Sequence, residues 1–220
     1  MSSSQAGHKL QLWSGALSSA LPCFYLSWVL LNVWRDPMAW NEGEWVRLGL
    51  GLLILEFVLL HSGAFMAAVI ARQQALGKKL QYLFGLFAFY SLMVLGFALS
   101  LDSSSLLWIF AGVCAGRLIT AISNASEGAE LMMARSANGV LLYILVVFAT
   151  VLLPIPQWGI DAQVLADAYP HRGGGLWERE PHRAIAGATV YFFLLGIAEI
   201  KTLKPQRLET QDNDHEKPTP

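Results

Sequence analysis

The apolar stretch from Leu48 to Ala71 constrains the fold of this chain more than any other feature. A helix needs about 20 apolar residues to cross the hydrocarbon core of a bilayer, and this stretch is long enough. Two ionisable residues, Glu56 and His61, lie in its middle. Because an ionisable side chain is costly at that depth, such residues generally mark a functional site. The stretch therefore predicts a membrane-spanning helix that contains a polar site.

The two polar residues of this helix are predicted to point in different directions. At about 100° per residue, Glu56 lies on one stripe with Gly63 and Ala67. Small residues four positions apart allow a second helix to approach closely, so this stripe indicates a helix interface. His61 follows Glu56 by five positions, which places it about 140° around the helix. We therefore expect no Glu–His pair within the helix, and we expect each side chain to find a partner on another element.

Each of these residues has a structural and a functional interpretation. His61 is either a neutral imidazole that hydrogen-bonds to a neighbouring helix, or a ligand or proton relay. Glu56 either forms a structural hydrogen bond as a neutral acid or exchanges its proton during function. Because desolvation disfavours a charged carboxylate, we predict that Glu56 is mostly protonated at neutral pH when no ligand is bound.

The composition indicates a membrane protein and excludes nucleic acid as a partner. The chain is 55% hydrophobic and only 14% charged, whereas soluble domains are about 25% charged. The net charge is −1 and no basic stripe is present, so the surface that nucleic acid requires is missing. Cys23 and Cys114 both lie in apolar segments, and no CxxC pair exists. They are interpreted as small buried side chains.

The further apolar stretches predict an all-α integral membrane protein, a bundle of about six transmembrane helices. Besides 48–71, spans are expected at residues 13–34, 80–101, 106–123, 138–153 and 184–203. The domain organisation follows as a polar N-terminal segment 1–12, a transmembrane domain 13–204 with an outer loop 157–183, and a disordered polar tail 205–220. Pro181 is expected in the first turn of the last span. A helix that begins near Asn124 is expected to continue into the fifth span.

Six spans place both termini on one side of the membrane, and the basic residues predict that this side is the cytoplasm. The predicted cytoplasmic side carries Lys9, Arg72, Lys78, Lys79, Arg135, Lys201, Lys204 and Arg207, and the outer side carries Arg35, Arg47, Arg172, Arg179 and Arg183. An aromatic belt is expected at the outer interface, formed by Trp34, Trp40, Trp45, Trp108, Trp158 and Trp177. We therefore predict a multi-pass protein of the bacterial inner membrane.

The fourth predicted span carries a second small-residue pattern and a charge. Gly112 and Gly116 lie four residues apart, which predicts close helix packing within the chain or in a helix–helix oligomer. Arg117 follows directly. It either extends to the interface or joins an ion pair, or it contacts an anion or substrate.

The outer loop combines imidazole and carboxylate groups, which suit a transition metal such as zinc, copper or iron. The candidate ligands are His171, Glu178, Glu180 and His182. Their spacing matches no metal signature, and Pro181 prevents Glu178 and His182 from sharing a helix face. The alternative is a solvated, mixed-charge loop that fixes the last helix.

These patterns leave three functional hypotheses, because no catalytic or nucleotide-binding motif is present and catalytic residues stay unassigned. The first is a protein that binds or transports a small solute or ion, with a proton-linked site around Glu56 and His61. The second is a membrane-embedded redox or metal-dependent enzyme that uses His61, His171 and His182 with carboxylates. The third is an accessory subunit that packs into a membrane complex through its small-residue faces.

Overall fold

The computed structural model of the protein describes residues 20–72, 74–122, 126–170 and 173–201, apart from the side chains of 116–122, 126–132 and 135. Every regular element in these ranges is helical. The helices are α1 (20–35), α2 (Glu44–Ala71), α3 (Leu76–Ser100), α4 (Ser105–Ile122), α5 (Ser126–Leu152), α6 (Ala162–Ala168), α7 (Leu176–Arg179) and α8 (Pro181–Lys201). Two short 3₁₀ helices, Pro37–Ala39 and Asn41–Gly43, connect α1 to α2.

Three of the described helices, α2, α3 and α8, are long and apolar enough to cross a membrane. Helices α4 and α5 contain shorter apolar segments, Ser105–Ala115 and Ser136–Leu152. The all-helical class of the chain and its membrane-spanning helices agree with the sequence prediction. The number of six spans and the side of the termini stay predictions.

Helix α2 is the central helix of the bundle. It contacts α3, α4, α5 and α8, and Gly49 packs against Leu30 of α1. Leu50, Leu53 and Val58 are completely buried along it. The small-residue stripe predicted from the sequence is buried as well, because Gly63 and Ala67 are both inaccessible. The stripe of α2 that carries Glu56, Gly63 and Ala67 therefore lies at a helix interface.

Helices α2, α5 and α8 all contact one another and form the core of the bundle. Gly139 lies where α5 crosses α2, so close that a Cβ atom there would come within 2.4 Å of Leu60 Cδ2. Gly187 lies where α8 crosses α5, and its missing side chain makes room for Thr150. Helix α1 is joined to α8 by a hydrogen bond of 2.8 Å that Ser27 Oγ donates to the carbonyl of Thr189.

Three connections lie together at one end of the bundle. The ring of Trp34, at the end of α1, stacks on Trp158 with the ring centroids 4.0 Å apart. Trp34 Nε1 also donates a hydrogen bond of 3.0 Å to the carbonyl of Pro156. Arg47 forms an ion pair of 3.4 Å with Asp102, between α3 and α4. The α1–α2, α3–α4 and α5–α8 connections therefore share one side, as the predicted topology requires.

Several predicted features of the helices are confirmed. Helix α8 begins at Pro181, as predicted. A single helix from Ser126 contains the fifth predicted span, and α6 is the short helix that precedes the last span. Residues 1–12, the tail 205–220 and the proposed cap at Asn124 lie outside the described residues. Gly112 is exposed with no described atom within 4 Å of a Cβ placed there, so it makes no close contact with another described helix, and the predicted oligomer contact stays a prediction.

Candidate functional site

The hydroxyl of Tyr191 on α8 donates a hydrogen bond of 2.7 Å to Glu56 Oε1 on α2. Tyr191 is 0% exposed, and Glu56 is half-buried. The two residues are 135 positions apart in the sequence, and the contact between α2 and α8 brings them together. Glu56 therefore has a partner on another helix, as expected.

A second tyrosine, from α5, completes the surroundings of this hydrogen bond. Tyr143 is 8% exposed, and its ring meets the Tyr191 ring edge to face with the centroids 5.8 Å apart. It also lies near enough to Glu56 for the two to interact electrostatically. Gly139, one turn earlier on α5, leaves room beside the Tyr191 hydroxyl, 3.5 Å from where its Cβ would lie. We call Glu56, Tyr143 and Tyr191 the central polar cluster.

The central polar cluster places a hydrogen-bond donor against a carboxyl group inside the helix bundle. A carboxylate in a low-dielectric interior is costly unless hydrogen-bond donors stabilise it. The Tyr191 hydroxyl is such a donor, and hydrogen bonds to a charged acceptor are roughly twice as strong as neutral ones. The same hydroxyl can also donate to the neutral acid, but that hydrogen bond is weaker than the one to the carboxylate.

His61 contacts Phe57 within its own helix. Its Nδ1 lies 2.9 Å from the backbone carbonyl of Phe57 within α2, and its ring lies against the Phe57 ring with the centroids 4.0 Å apart. Because a carbonyl only accepts, Nδ1 donates this hydrogen bond. This contact lies within α2, and a partner of His61 on another element stays a prediction.

The candidate metal ligands of the outer loop take part in contacts that fix helix ends. Arg183 donates to the carbonyls of Thr150 and Leu153, at 2.9 and 3.0 Å, and so caps the end of α5. Glu180 forms an ion pair with Arg183. This hydrogen bond to the guanidinium holds the pKa of the Glu180 carboxyl below its usual range. Glu178 Oε2 accepts a hydrogen bond of 2.9 Å from the backbone N–H of Gly175.

The metal hypothesis depends on a residue that the structure does not describe. His182 is buried at 3% exposure in the first turn of α8, but His171 lies outside the described residues. Within the ranges the structure covers, no group of three or more His, Cys, Asp or Glu side chains is arranged to hold a metal ion. The side chain of Arg117 is likewise outside the described part. The ligand set with His171 and the role of Arg117 stay predictions.

Sequence reasoning missed the two tyrosines of the central polar cluster. Both lie in apolar spans, where an aromatic residue is easily interpreted as a packing residue. The available signal was the hydroxyl group, because a buried tyrosine usually finds a hydrogen-bond partner. That signal shows that a partner exists, but only the packing of the helices identifies it.

No protein family, no curated protein and no solved structure matches this chain. The arrangement of the side chains is therefore the basis of the functional interpretation.

Proposed function

We propose that this protein binds or transports a small solute or ion within the membrane, with proton exchange at Glu56. The hydrogen bond between Tyr191 and Glu56, inside the contact of α2 and α8, is the observation that supports this proposal most directly. When a cation or polar solute arrives, the neutral acid releases its proton, and the carboxylate interacts with the solute. Tyr191 stabilises the new charge by its hydrogen bond.

Because the central polar cluster lies between three helices, proton exchange at Glu56 can change how these helices are arranged. Glu56, Tyr143 and Tyr191 come from three helices that all contact one another. A change of charge on Glu56 changes the strength of its bond to α8, since charge-assisted hydrogen bonds are stronger. Proton release can therefore favour one arrangement of α2 and α8 over another, which is the coupling that a proton-linked transporter requires.

The proposed setting is a six-span protein of the bacterial inner membrane with both termini in the cytoplasm. The excess of basic residues at the end with the α2–α3 turn supports this orientation. The shared location of the α1–α2, α3–α4 and α5–α8 connections supports an even number of crossings. Trp34, Trp40, Trp45 and Trp158 are the interfacial aromatic residues of the outer side in this setting.

Ion-driven proton movement in proteoliposomes tests the function. Purified protein is reconstituted with a pH-sensitive dye inside, and Na⁺, K⁺ and Zn²⁺ gradients are imposed in turn. We expect at least one gradient to drive proton movement in the unmodified protein, and Glu56→Gln to abolish it because glutamine cannot exchange a proton. Glu42→Gln is the matched control, since Glu42 is exposed outside the bundle.

The result also separates proton exchange from passive leakage. Proton movement that persists in Glu56→Gln at the rate of the unmodified protein contradicts the role of Glu56. Ion binding is contradicted if neither the unmodified protein nor the variants move protons and none of the three ions changes the thermal stability. The second measurement is informative because a bound ligand raises apparent stability.

A further inference from the structure

An apolar groove lies on the surface of the bundle between α2, α3 and α4, away from the central polar cluster. Its volume is about 210 Å³. An apolar cavity of about 150 Å³ is large enough for a benzene molecule, so this groove has room for a segment of hydrocarbon chain. Residues from three helices line it, among them Met66, Leu83, Phe84, Phe87, Ala111 and Ala115.

The groove opens toward the outside of the bundle. Phe84 is 58% exposed, and Ala115 on α4 is exposed as well. The inner wall is rigid, because the ring of Phe87 stacks on Phe110 with the centroids 5.9 Å apart. In a protein that spans a membrane, an apolar surface of this kind faces the acyl chains of the lipids.

A basic residue lies at the membrane-interface end of the same groove. Lys79, Leu83 and Phe87 follow one another at intervals of four on α3, so they lie on one stripe of that helix. Lys79 is half-buried in the first turn of α3. Side chains on a helix tilt toward its N-terminus, so the long side chain of Lys79 can extend away from the groove toward lipid headgroups.

The α2–α3 turn beside Lys79 carries two further cationic side chains. Arg72 and Lys78 are both exposed in the same α2–α3 turn. The sequence contains no acidic residue between Glu56 and Asp102, so no carboxylate of these two helices neutralises the turn. A zwitterionic headgroup gains little from such a site, whereas each lysine or arginine near an anionic lipid surface contributes about 1 kcal/mol.

We infer that the groove binds one acyl chain of an anionic glycerophospholipid whose phosphate lies at Lys79. An apolar channel directly below a cationic turn matches the two parts of such a lipid, a hydrocarbon chain and a negative headgroup. This inference rests on the groove and its charges, and it is independent of the function proposed for Glu56.

Lipid binding to the purified full-length protein tests the inference. Delipidated protein in detergent is titrated with phosphatidylglycerol or with phosphatidylcholine of identical chains, and bound lipid is counted by native mass spectrometry. We expect tighter binding of phosphatidylglycerol, and Lys79→Ala to weaken it about fivefold, the factor that corresponds to about 1 kcal/mol. Lys79→Arg should retain the binding, and so should the control Lys201→Ala, at the end of α8.

The apolar part of the site is tested by filling the groove. Ala111→Phe places a ring where the acyl chain would lie and should abolish the preference for phosphatidylglycerol, whereas Leu92→Phe, on an exposed part of α3, should not. Ala115→Leu provides a second filling variant if Ala111→Phe does not fold. The inference would be overturned by equal affinity for the two lipids. It would also be overturned if the preference for phosphatidylglycerol persisted in Lys79→Ala or in the folded filling variant. A third contrary result would be that inorganic phosphate alone stabilises the protein as much as phosphatidylglycerol does.

Discussion

The hydrogen bond between Tyr191 and Glu56 joins α2 and α8. Hydrogen bonds between membrane helices contribute about 0.6 kcal/mol on average and up to about 1.7 kcal/mol. The bond here belongs at the upper end, since the tyrosine is completely buried and a lost partner leaves a buried polar group unsatisfied.

Replacing Tyr191 by phenylalanine removes the hydroxyl and little else. We expect Tyr191→Phe to lower the free energy of unfolding by about 1–2 kcal/mol, measured by denaturation in detergent micelles. Tyr82→Phe is the control, because Tyr82 is exposed on α3, and it should have no effect. In a double-mutant cycle with Glu56→Leu, which removes the acceptor, additive losses would contradict a direct interaction between the two side chains.

At the scale of residues, the sequence predicted the directions of side chains around a helix better than it predicted their hydrogen-bond partners. The 3.6-residue period correctly separated the directions of Glu56 and His61, because a single helix determines that angle. It did not predict the contact of His61 with the Phe57 carbonyl, which lies within the same helix. The partner of Glu56 was not predictable, because it depends on how α2 and α8 pack.

At the scale of elements, close approach of helices explains where glycine is required. Gly139 lies against Leu60 where α5 crosses α2, whereas Gly112 on α4 has no described atom near its missing side chain. We expect Gly139→Leu to lower the free energy of unfolding by about 1–3 kcal/mol through overpacking. Gly112→Leu should leave the stability of the monomer unchanged. Thermal unfolding in detergent compares the two, and equal effects would contradict the helix packing described above.

The end of α5 is held by Arg183, and the ion pair of Arg183 with Glu180 makes this contact dependent on pH. Arg183 lowers the pKa of Glu180 below the value of 4.5 of the free carboxyl. The unfolded chain therefore takes up this proton first as the pH falls. The stabilisation is complete above about pH 5 and is lost as the pH falls through the lower pKa of the folded state.

We expect the unfolding free energy of the unmodified protein to decrease more between about pH 5 and about pH 3 than that of Glu180→Gln. Denaturation in detergent at these two pH values measures the difference. Asp167→Asn is the control at an exposed carboxyl of α6, and it should behave as the unmodified protein does. A steeper decrease in Glu180→Gln would mean that the ion pair does not stabilise the fold.

Helix existence followed from the sequence, whereas some helix bounds did not. Long apolar runs predicted α2, α3 and α8, because each needs a continuous apolar surface to cross the membrane. Helices α2 and α3 begin at Glu44 and Leu76, before the apolar stretches that predicted them, since a helix continues beyond the membrane wherever its residues allow it. Gly112 and Gly63 have equivalent patterns in sequence but different surroundings, and only the packing of whole helices decides which glycine is covered.

At the scale of the whole molecule, the proposed topology assigns each connection to one side of the membrane. We expect single cysteines at Asp167 and Gly174, in a background without Cys23 and Cys114, to react with an impermeant thiol reagent in intact cells. A cysteine at Lys78 should react only after the cells are opened. The reverse pattern would invert the orientation, and reaction at all three positions in intact cells would contradict the number of spans.

The central claim is that Glu56 is a carboxyl that keeps its proton inside the bundle at neutral pH and can exchange it. Infrared difference spectroscopy during a pH titration tests this claim most directly. The account predicts a protonated-carboxyl band at neutral pH that is missing in Glu56→Gln and unchanged in Glu42→Gln. The account would be contradicted if no such band appeared at neutral pH and the Glu56 carboxylate stayed ionised down to about pH 4, the pKa of a model peptide.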